Sequence, residues 1–446
     1  MSVPIVEASL HYFVIFCSKL GQKEGTEHEK ILFFYPPTIN IGEQTNSVGI
    51  SEAYVLFTKQ FSPNQPCEFI HTKKNTLALL NPEEDIWMVL SVNNPTGIIG
   101  KDNKREYIED EVDDIILKKT IQQIYQTWQT FNGSIMSLVS KTSFENVRKR
   151  LESFIKPYIQ QIQFDQLDLF TSLDGIKFLP LNKNIYLTIF GYINSVDLHF
   201  QSTLSSFRFG LVLYKDNLIL SSLEQNETRI LYNYLINMVK VGPDINSSNT
   251  MMVKNNSNNT PIWQTKGISR TGFMIQKDSL PMVWLGGKPQ AMIVYEQKDT
   301  FLLFLIDPSD LPELLFEELS SSLVQNFEFV NLTLEQHYAK KANFDEQYKY
   351  IYFNQMNLAI RSPIKPRGPE LNKETMKLLN EIHADFEGGL SSEIIVKTQQ
   401  DRWIVAKKID FREFYIMFDN KNSSILEINE EVKNATTKFF KFLFTD

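Results

Sequence analysis

The chain has 446 residues, 42% of them hydrophobic and 22% charged, a balance that belongs to folded protein rather than to disorder; at roughly 150 residues per domain its length predicts about three domains. Its 45 basic and 53 acidic residues leave a net charge of −8, which argues against a protein whose own surface grips nucleic acid or an anionic membrane. Two cysteines, Cys17 and Cys67, are too few for a disulfide framework or a zinc site and fit a reducing compartment, so a cytosolic location is expected.

Residues 12–17 and 30–35 read as two strands joined by a polar loop flanked by Gly21 and Gly25, a hairpin pattern. No basic region precedes the first run, which is too short for the core of a signal peptide. The greasiest run elsewhere, residues 301–306, falls far below the ~20 residues that span a bilayer as a helix, so no transmembrane segment is expected. From Asn46 onward Val48, Ala53, Val55, Leu56 and Phe61 fall at helical spacings. Ser62-Pro63-Asn64-Gln65-Pro66 then stops the helix, because proline lacks the amide donor and fixes φ. Three strands follow, 68–72, 76–80 and 85–92, separated by the turn formers Asn75 and Asn81-Pro82.

After a polar loop at 93–105, the acidic triplet Glu109-Asp110-Glu111 opens an amphipathic helix carrying Val112, Ile116, Ile121, Ile124, Trp128 and Phe131. A second helix, 144–162, carries Val147, Leu151, Phe154, Tyr158 and Ile162, with a kink expected at Pro157. The first unit therefore reads ββαβββαα.

A second unit opens near Gly175 with a short strand at 176–179, a helix at 185–200, and a hairpin of 207–213 with 218–221 turning at Lys215-Asp216-Asn217. A helix capped by Asn226 comes next, with Glu227 in its first turn and Ile230, Leu231, Tyr234, Leu235 and Met238 on its apolar face. The polar, Asn/Ser-rich stretch 242–260 reads as a mobile loop, since it lacks the apolar content that offsets ordering entropy. Strands at 291–295 and 300–306 and a helix within 311–324 close the unit. The third unit has a strand at 348–353, a proline-broken loop at 363–369, a helix at 372–383, and a meander of 393–397, 403–407 and 414–418. Its last helix is expected to start at Asn429, with Glu430-Glu431 in the first turn and Lys438 and Lys441 towards the end. The order is βαβββα, an echo of the first unit.

Chemistry is hard to find in this pattern. Gly100-Lys101 and Gly287-Lys288 lack the upstream Gly and the following hydroxyl residue of a P-loop, and H-E-x-x-H, G-x-S-x-G and C-x-x-C are absent. His28, between Glu27 and Glu29, reads as a solvated loop histidine. Cys67 and His71 would stand about 13 Å apart along a strand, too far for proton transfer. Glu83-Glu84-Asp85 reads as a solvated turn, and Arg148-Lys149-Arg150 and Lys407-Lys408 with Arg412 as solvated basic faces rather than phosphate or membrane contacts. No catalytic residue, cofactor or metal is expected.

Several long stretches together resemble one family. FTKQFSPNQPCEFIHTKKN and NPEEDIWMV (57–75, 81–89), SSLEQNETRILYNYL (221–235), YKYIYFNQMNLA (348–359), EIIVKTQQDRWIVAKK and LEINEEVKN (393–408, 426–434), with GQKEGTEHEKILFFYPP (21–37), are similar to the vacuolar-fusion Ccz-one family. The likeness runs end to end; the Asn/Ser-rich loop at 242–260 is the clearest departure. It implies an α/β (α+β) chain of three longin domains, each a mainly antiparallel five-stranded sheet with flanking helices, at 1–165, 170–330 and 343–446. It also implies an obligate complex with a Mon-one-like longin protein, acting as a guanine-nucleotide exchange factor on a Rab-seven-type GTPase. That complex would be recruited peripherally from the cytoplasm to late-endosomal, vacuolar and lysosomal membranes. A longin scaffold that tethers vesicle machinery without exchanging nucleotide is the alternative. Within the first domain, Phe57, Phe61, Ser62 and Pro63, with His71 and Lys73 on the next strand, are the expected contacts for the partner or the GTPase, because aromatic anchors on a rigid proline turn lose little entropy on binding. The competing reading puts Phe57 and Phe61 in the core and makes the turn a plain turn.

Overall fold

The computed structural model describes residues 6–63, 66–98, 105–108, 112–162, 164, 169–240, 271–273, 280–312, 315–342, 348–364, 371–398, 401–419 and 423–439. The chain groups into two compact units, Met1–Ser172 with Leu371–Ala384, and Leu173–Glu370 with Asp385–Asp446.

The first unit is built on β1 (Ser9–Cys17), β2 (Ile31–Tyr35), α1 (Ile41–Phe61), β3 (Phe69–His71), β4 (Asn75–Glu83) and β5 (Ile86–Asn93). Its five-stranded sheet has the order β2-β1-β5-β4-β3 and is antiparallel throughout. A small hairpin, β6 (Thr96–Ile98) with β7 (Arg105–Tyr107), precedes α2 (Asp114–Asn132), α3 (Ile135–Lys141), α4 (Phe144–Gln161) and a short α5 (Leu169–Leu173).

The unbroken apolar run in β1 marks a strand covered on both faces. Phe13, Ile15 and Cys17 pack with Ile121, Trp128, Leu151 and Ile155 from α2 and α4. Tyr12, Val14 and Phe16 face the other way, against Val48 of α1. The sheet is therefore the middle of three layers, and among the described residues α1 is the helix that covers one side.

Several local expectations are corrected here. α1 starts at Ile41, because the Asn40 side chain accepts from the Glu43 N–H at 2.9 Å; Asn40 followed by an acid three residues on is the cap signal that the apolar spacing hid. Asn81-Pro82 is not the turn. β4 runs through it with a register break between Leu80 and Glu83, where a missing amide costs no ladder bond, and the chain turns at Glu84-Asp85 with Asp85 at φ +64°. Glu83 is no solvated acid: its carboxylate accepts from the Tyr125 hydroxyl (2.8 Å) and from the N–H groups of Ile135 (2.6 Å) and Met136 (2.9 Å), fixing the start of α3. α4 continues as helix through Pro157. The basic triplet in α4 is likewise committed to its own unit. Arg148 donates to the carbonyls of Ile31 (3.0 Å) and Glu29 (2.6 Å), Lys149 pairs with Glu145, and Arg150 donates to Asn132 Oδ1 at 2.6 Å.

The second unit opens with β8 (Ile176–Lys177), α6 (Lys183–Gln201), β9 (Arg208–Tyr214), β10 (Asn217–Ser221), α7 (Gln225–Lys240), β11 (Thr271–Phe273), β12 (Met282–Leu285), β13 (Lys288–Gln297), β14 (Thr300–Ile306) and α8 (Leu315–Ala342). Their sheet has the order β10-β9-β14-β13-β11, with β12 also on β13. α6 and α8 cover one face, bringing Ile189, Ile193, Leu319 and Phe327 onto Phe209, Ile293 and Phe304. β15 (Lys349–Asn354), β16 (Ala359–Arg361), α9 (Lys373–Glu387), β17 (Glu393–Lys397), β18 (Trp403–Ile409), β19 (Arg412–Phe418) and α10 (Ile425–Phe439) complete the described chain. Their sheet runs β17-β18-β19-β15-β16-β8, antiparallel except for β8 on β16. Gly175 makes that last pairing possible, since a Cβ there would come within 2.7 Å of Ile360 Cβ. α10 packs Ile428, Val432 and Ala435 on Tyr350, Phe414 and Ile416.

Further corrections fall in this unit. Asn226 lies inside α7, which begins at Gln225. α8 continues well past 324, to Ala342. α10 begins at Ile425, behind a reciprocal cap of Ser424 and Glu427, so Asn429 sits inside it. The short strands β11, β12 and β16 carry too little pattern to be read from sequence. The stretch 242–260, residues 365–369 of the proline-broken loop, and Lys441 lie outside the described residues.

Candidate interaction surface

α1 is seated by a narrow strip. Val48 and Ser51 are buried and Val55 half-buried, and the helix rests on Tyr12, Val14, Phe16 and Ile70. The Tyr12 hydroxyl meets Ser47 and Ser51, with burial holding its pKa above the ordinary phenol value. Lys30 Nζ donates to the Glu52 carboxylate at 2.6 Å. Small side chains and two polar anchors thus hold a 21-residue helix by one side.

The other side is apolar and bare. Ile50, Tyr54, Phe57 and Phe61 fall within about 60° of one another at 100° per residue, opposite Val48 and Val55. Phe57 is 59% and Phe61 75% exposed, and Ile50, Tyr54 and Leu56 are exposed with them. The core reading of the two phenylalanines fails on these exposures. Their rings meet edge to face at 5.0 Å, a pair held together in water without a cover. Ile50 and Tyr54 were legible as members of this stripe from their spacing to Phe57 and Phe61, but Val48, Ala53 and Val55 compete for the same helix and point the reading inward.

α1 ends at Ser62, whose N–H donates to the Thr58 carbonyl at 2.9 Å, and Pro63 follows, exposed. Pro63 is thereby presented at the end of the aromatic stripe. The strand residues behave differently. Alternation along β3 sends Ile70 to the α1 layer, while Phe69 packs in the α2 layer and His71 reaches Asp114 of α2, Nε2 to Oδ2 3.1 Å. Burial raises the Asp114 carboxyl pKa, and the His71 pair opposes part of that rise. Lys73 lies in the turn after β3 rather than on the strand, exposed, while the Asn94 amide donates to the carbonyls of Thr72 and Lys73 (3.0 and 3.3 Å). The six expected contacts therefore split: Phe57, Phe61, Ser62 and Pro63 share the end of α1, while His71 belongs to the opposite layer and Lys73 to the β3–β4 turn. What the α1 group offers is apolar area and aromatic edges; it holds no proton donor or nucleophile poised for covalent work.

The ββαβββ order with helices on both faces of an antiparallel sheet defines the class. Residues 10–133 match the family model described as the first Longin domain of INTU, CCZ1 and HPS4, and residues 344–435 match Intu longin-like domain 3, so this is a longin-domain protein. The whole chain is 95% identical, over 100% of both sequences, to the vacuolar fusion protein CCZ1 homolog of Dictyostelium discoideum. It is 34% identical to the CCZ1 homolog of Nematostella vectensis over 97% of each chain, and 34% identical to that of Xenopus laevis over 98% of this chain and 97% of the relative. The chain belongs to the family of vacuolar fusion protein CCZ1 homologs.

Proposed function

We propose that the chain is one subunit of a guanine-nucleotide exchange factor for a late-endosomal or vacuolar Rab GTPase of the Rab-seven type, assembled with a Mon-one-like longin protein. It would have three longin domains, at 1–165, 170–330 and 343–446, the first of which supplies half of the platform for the GTPase. The complex acts peripherally on late endosomes, vacuoles and lysosomes and promotes endosome maturation, fusion and autophagic delivery. One observation carries this reading: a first longin domain, in a family named for vacuolar fusion, leaves an apolar aromatic stripe uncovered on α1, next to a proline turn. Described helices give no competing membrane-anchor reading, since none is long and apolar enough to cross a bilayer.

Exchange breaks no covalent bond. The factor needs only to bind the nucleotide-free GTPase more tightly than the loaded one, which displaces a switch and weakens the hold on Mg²⁺. A thousandfold acceleration corresponds to about 4 kcal/mol of differential binding, within reach of a few well-packed aromatic contacts. The test is affinity purification of the full chain with identification of its partner, followed by nucleotide release from the Rab. Complexes carrying Pro63→Ala are expected to lose assembly or rate. His71→Ala asks separately whether the α2 layer, where His71 meets Asp114, also contributes, and unchanged assembly and rate in either variant would remove that residue from the surface. A complex that binds the Rab and leaves release unchanged would instead be a tethering scaffold.

A further inference from the structure

The third sheet carries a second uncovered apolar group, at one end. Register puts three turns side by side there. Asn354 pairs with Arg412, Ile409 pairs with Arg412 across the β18–β19 hairpin, and Glu393 pairs with Lys407. The bonds just beyond these pairs continue the pattern: Gln355 N–H donates to the Phe411 carbonyl and Lys408 N–H to the Ser392 carbonyl, each at 2.8 Å. At the tips stand Met356, 69% exposed, Leu390, 79%, and Phe411, 54%, with Ile409 at the base of the middle turn. Each turn thus lifts a large apolar side chain off the same end of one rigid sheet.

We infer that this end of the third sheet inserts shallowly into the interface of a lipid bilayer, by apolar contact rather than by attraction to anionic lipid. Three observations select a bilayer. Much of the backbone at the two outer tips already bonds internally, as a lipid-facing turn must: Leu390 N–H donates to the Asp385 carbonyl (2.9 Å), Gly389 N–H to the Phe386 carbonyl (3.3 Å), Met356 N–H to Asn354 Oδ1 (3.0 Å), and Gln225 Nε2 donates to the Gln355 and Met356 carbonyls. The nearby cations are spent within the unit, Lys407 on Glu393 at 2.9 Å and Lys408 on Glu387 and Glu413 at 3.5 Å, so they offer a phosphate headgroup little. Asp410 and Arg412 add one charge of each sign to the same hairpin. Finally, separate projecting tips require depth and no complementary cavity, which suits a fluid interface better than a protein surface. This basic stretch is the one in which a membrane contact competed with a solvated face, and the geometry moves the contact from the lysines to the apolar tips between them.

The inference does not rest on the exchange reading, because its test measures lipid binding alone. The full chain, with its co-purifying partner, is floated with phosphatidylcholine vesicles, with and without phosphatidylserine, at low and high salt. Binding to the zwitterionic vesicles that persists in high salt is expected, and Leu390→Glu and Phe411→Glu should each lower the bound fraction by about tenfold or more. Phe411→Trp adds a local reading: brominated phosphatidylcholine should quench its added fluorescence beyond that of the parent protein. Thermal midpoints of Leu390→Glu and the milder Leu390→Ser should stay at the parent value, and nucleotide release in solution should be untouched. The inference is overturned if the chain does not float with phosphatidylcholine, if the charged variants float equally, or if binding needs phosphatidylserine and disappears in salt. Loss of a protein partner without loss of vesicle binding would identify a protein-docking face and overturn it too.

Discussion

The double substitution Phe57→Ala/Phe61→Ala tests whether α1 is a covered surface in the working protein. A phenylalanine side chain presents roughly 200 Å², of which 59% at Phe57 and 75% at Phe61 is open. A partner that buried both would remove close to 270 Å² from water, up to about 7 kcal/mol at ~25 cal/mol per Å². Lost translational freedom and side-chain ordering reduce what is measured, so the expected loss is about 2–4 kcal/mol, a weakening of roughly thirty- to a thousandfold in the dissociation constant. Because the rings contribute little to the core, the isolated chain should keep its stability. The assay pairs thermal unfolding of the variant with its capture of the co-purified partner and with nucleotide release from the Rab. A lower melting temperature with unchanged capture and release would refute the reasoning, since it would show that the stripe serves the fold of α1 itself.

Two further outcomes follow from contacts within the units. Glu83→Gln should cost about 1–3 kcal/mol, because one carboxylate satisfies three donors at the start of α3; urea unfolding should show a lower midpoint at unchanged slope, and a parent-like midpoint would return Glu83 to the role of a plain turn residue. The Asp419 carboxyl is held below its usual range, first by its hydrogen bond from Lys349 and then by Arg402, each at 2.6 Å. A depressed carboxyl contributes stability above its unfolded pKa and loses it as pH falls through the lower folded value. Since Asp419 is half exposed, screening keeps the contribution under about 1 kcal/mol. Thermal midpoints of Asp419→Asn and the parent should therefore differ slightly at neutral pH and converge in acid; a gap that widens in acid would show the sign to be wrong.

Most of the elements were legible along the chain because local periodicity encodes element type. The apolar run in β1, the meander β17–β18–β19 and the amphipathic helices α2 and α4 stand where alternation and helical spacing put them. Ends were less legible: Asn226 and Asn429 look like caps but lie inside helices, while Asn40 and Ser424 do the capping. The polar residues misled most, and for one physical reason. Glu83 finds Ile135 and Met136, and Arg148 finds the carbonyl of Ile31, across 52 to 117 residues of chain, so nothing in their neighbourhood announces that they are spent. The same limit applies to α1, which carries apolar residues on two opposite sides, Val48 and Val55 on one and Ile50, Phe57 and Phe61 on the other. Sequence alone determined that a helix, a proline stop and a meander stand here, and that they resemble a longin platform. Only the tertiary structure decided that Val48 and Val55 meet the sheet while Phe57 and Phe61 face water, because the face a helix buries is set by the layer it packs against and not by its own spacing.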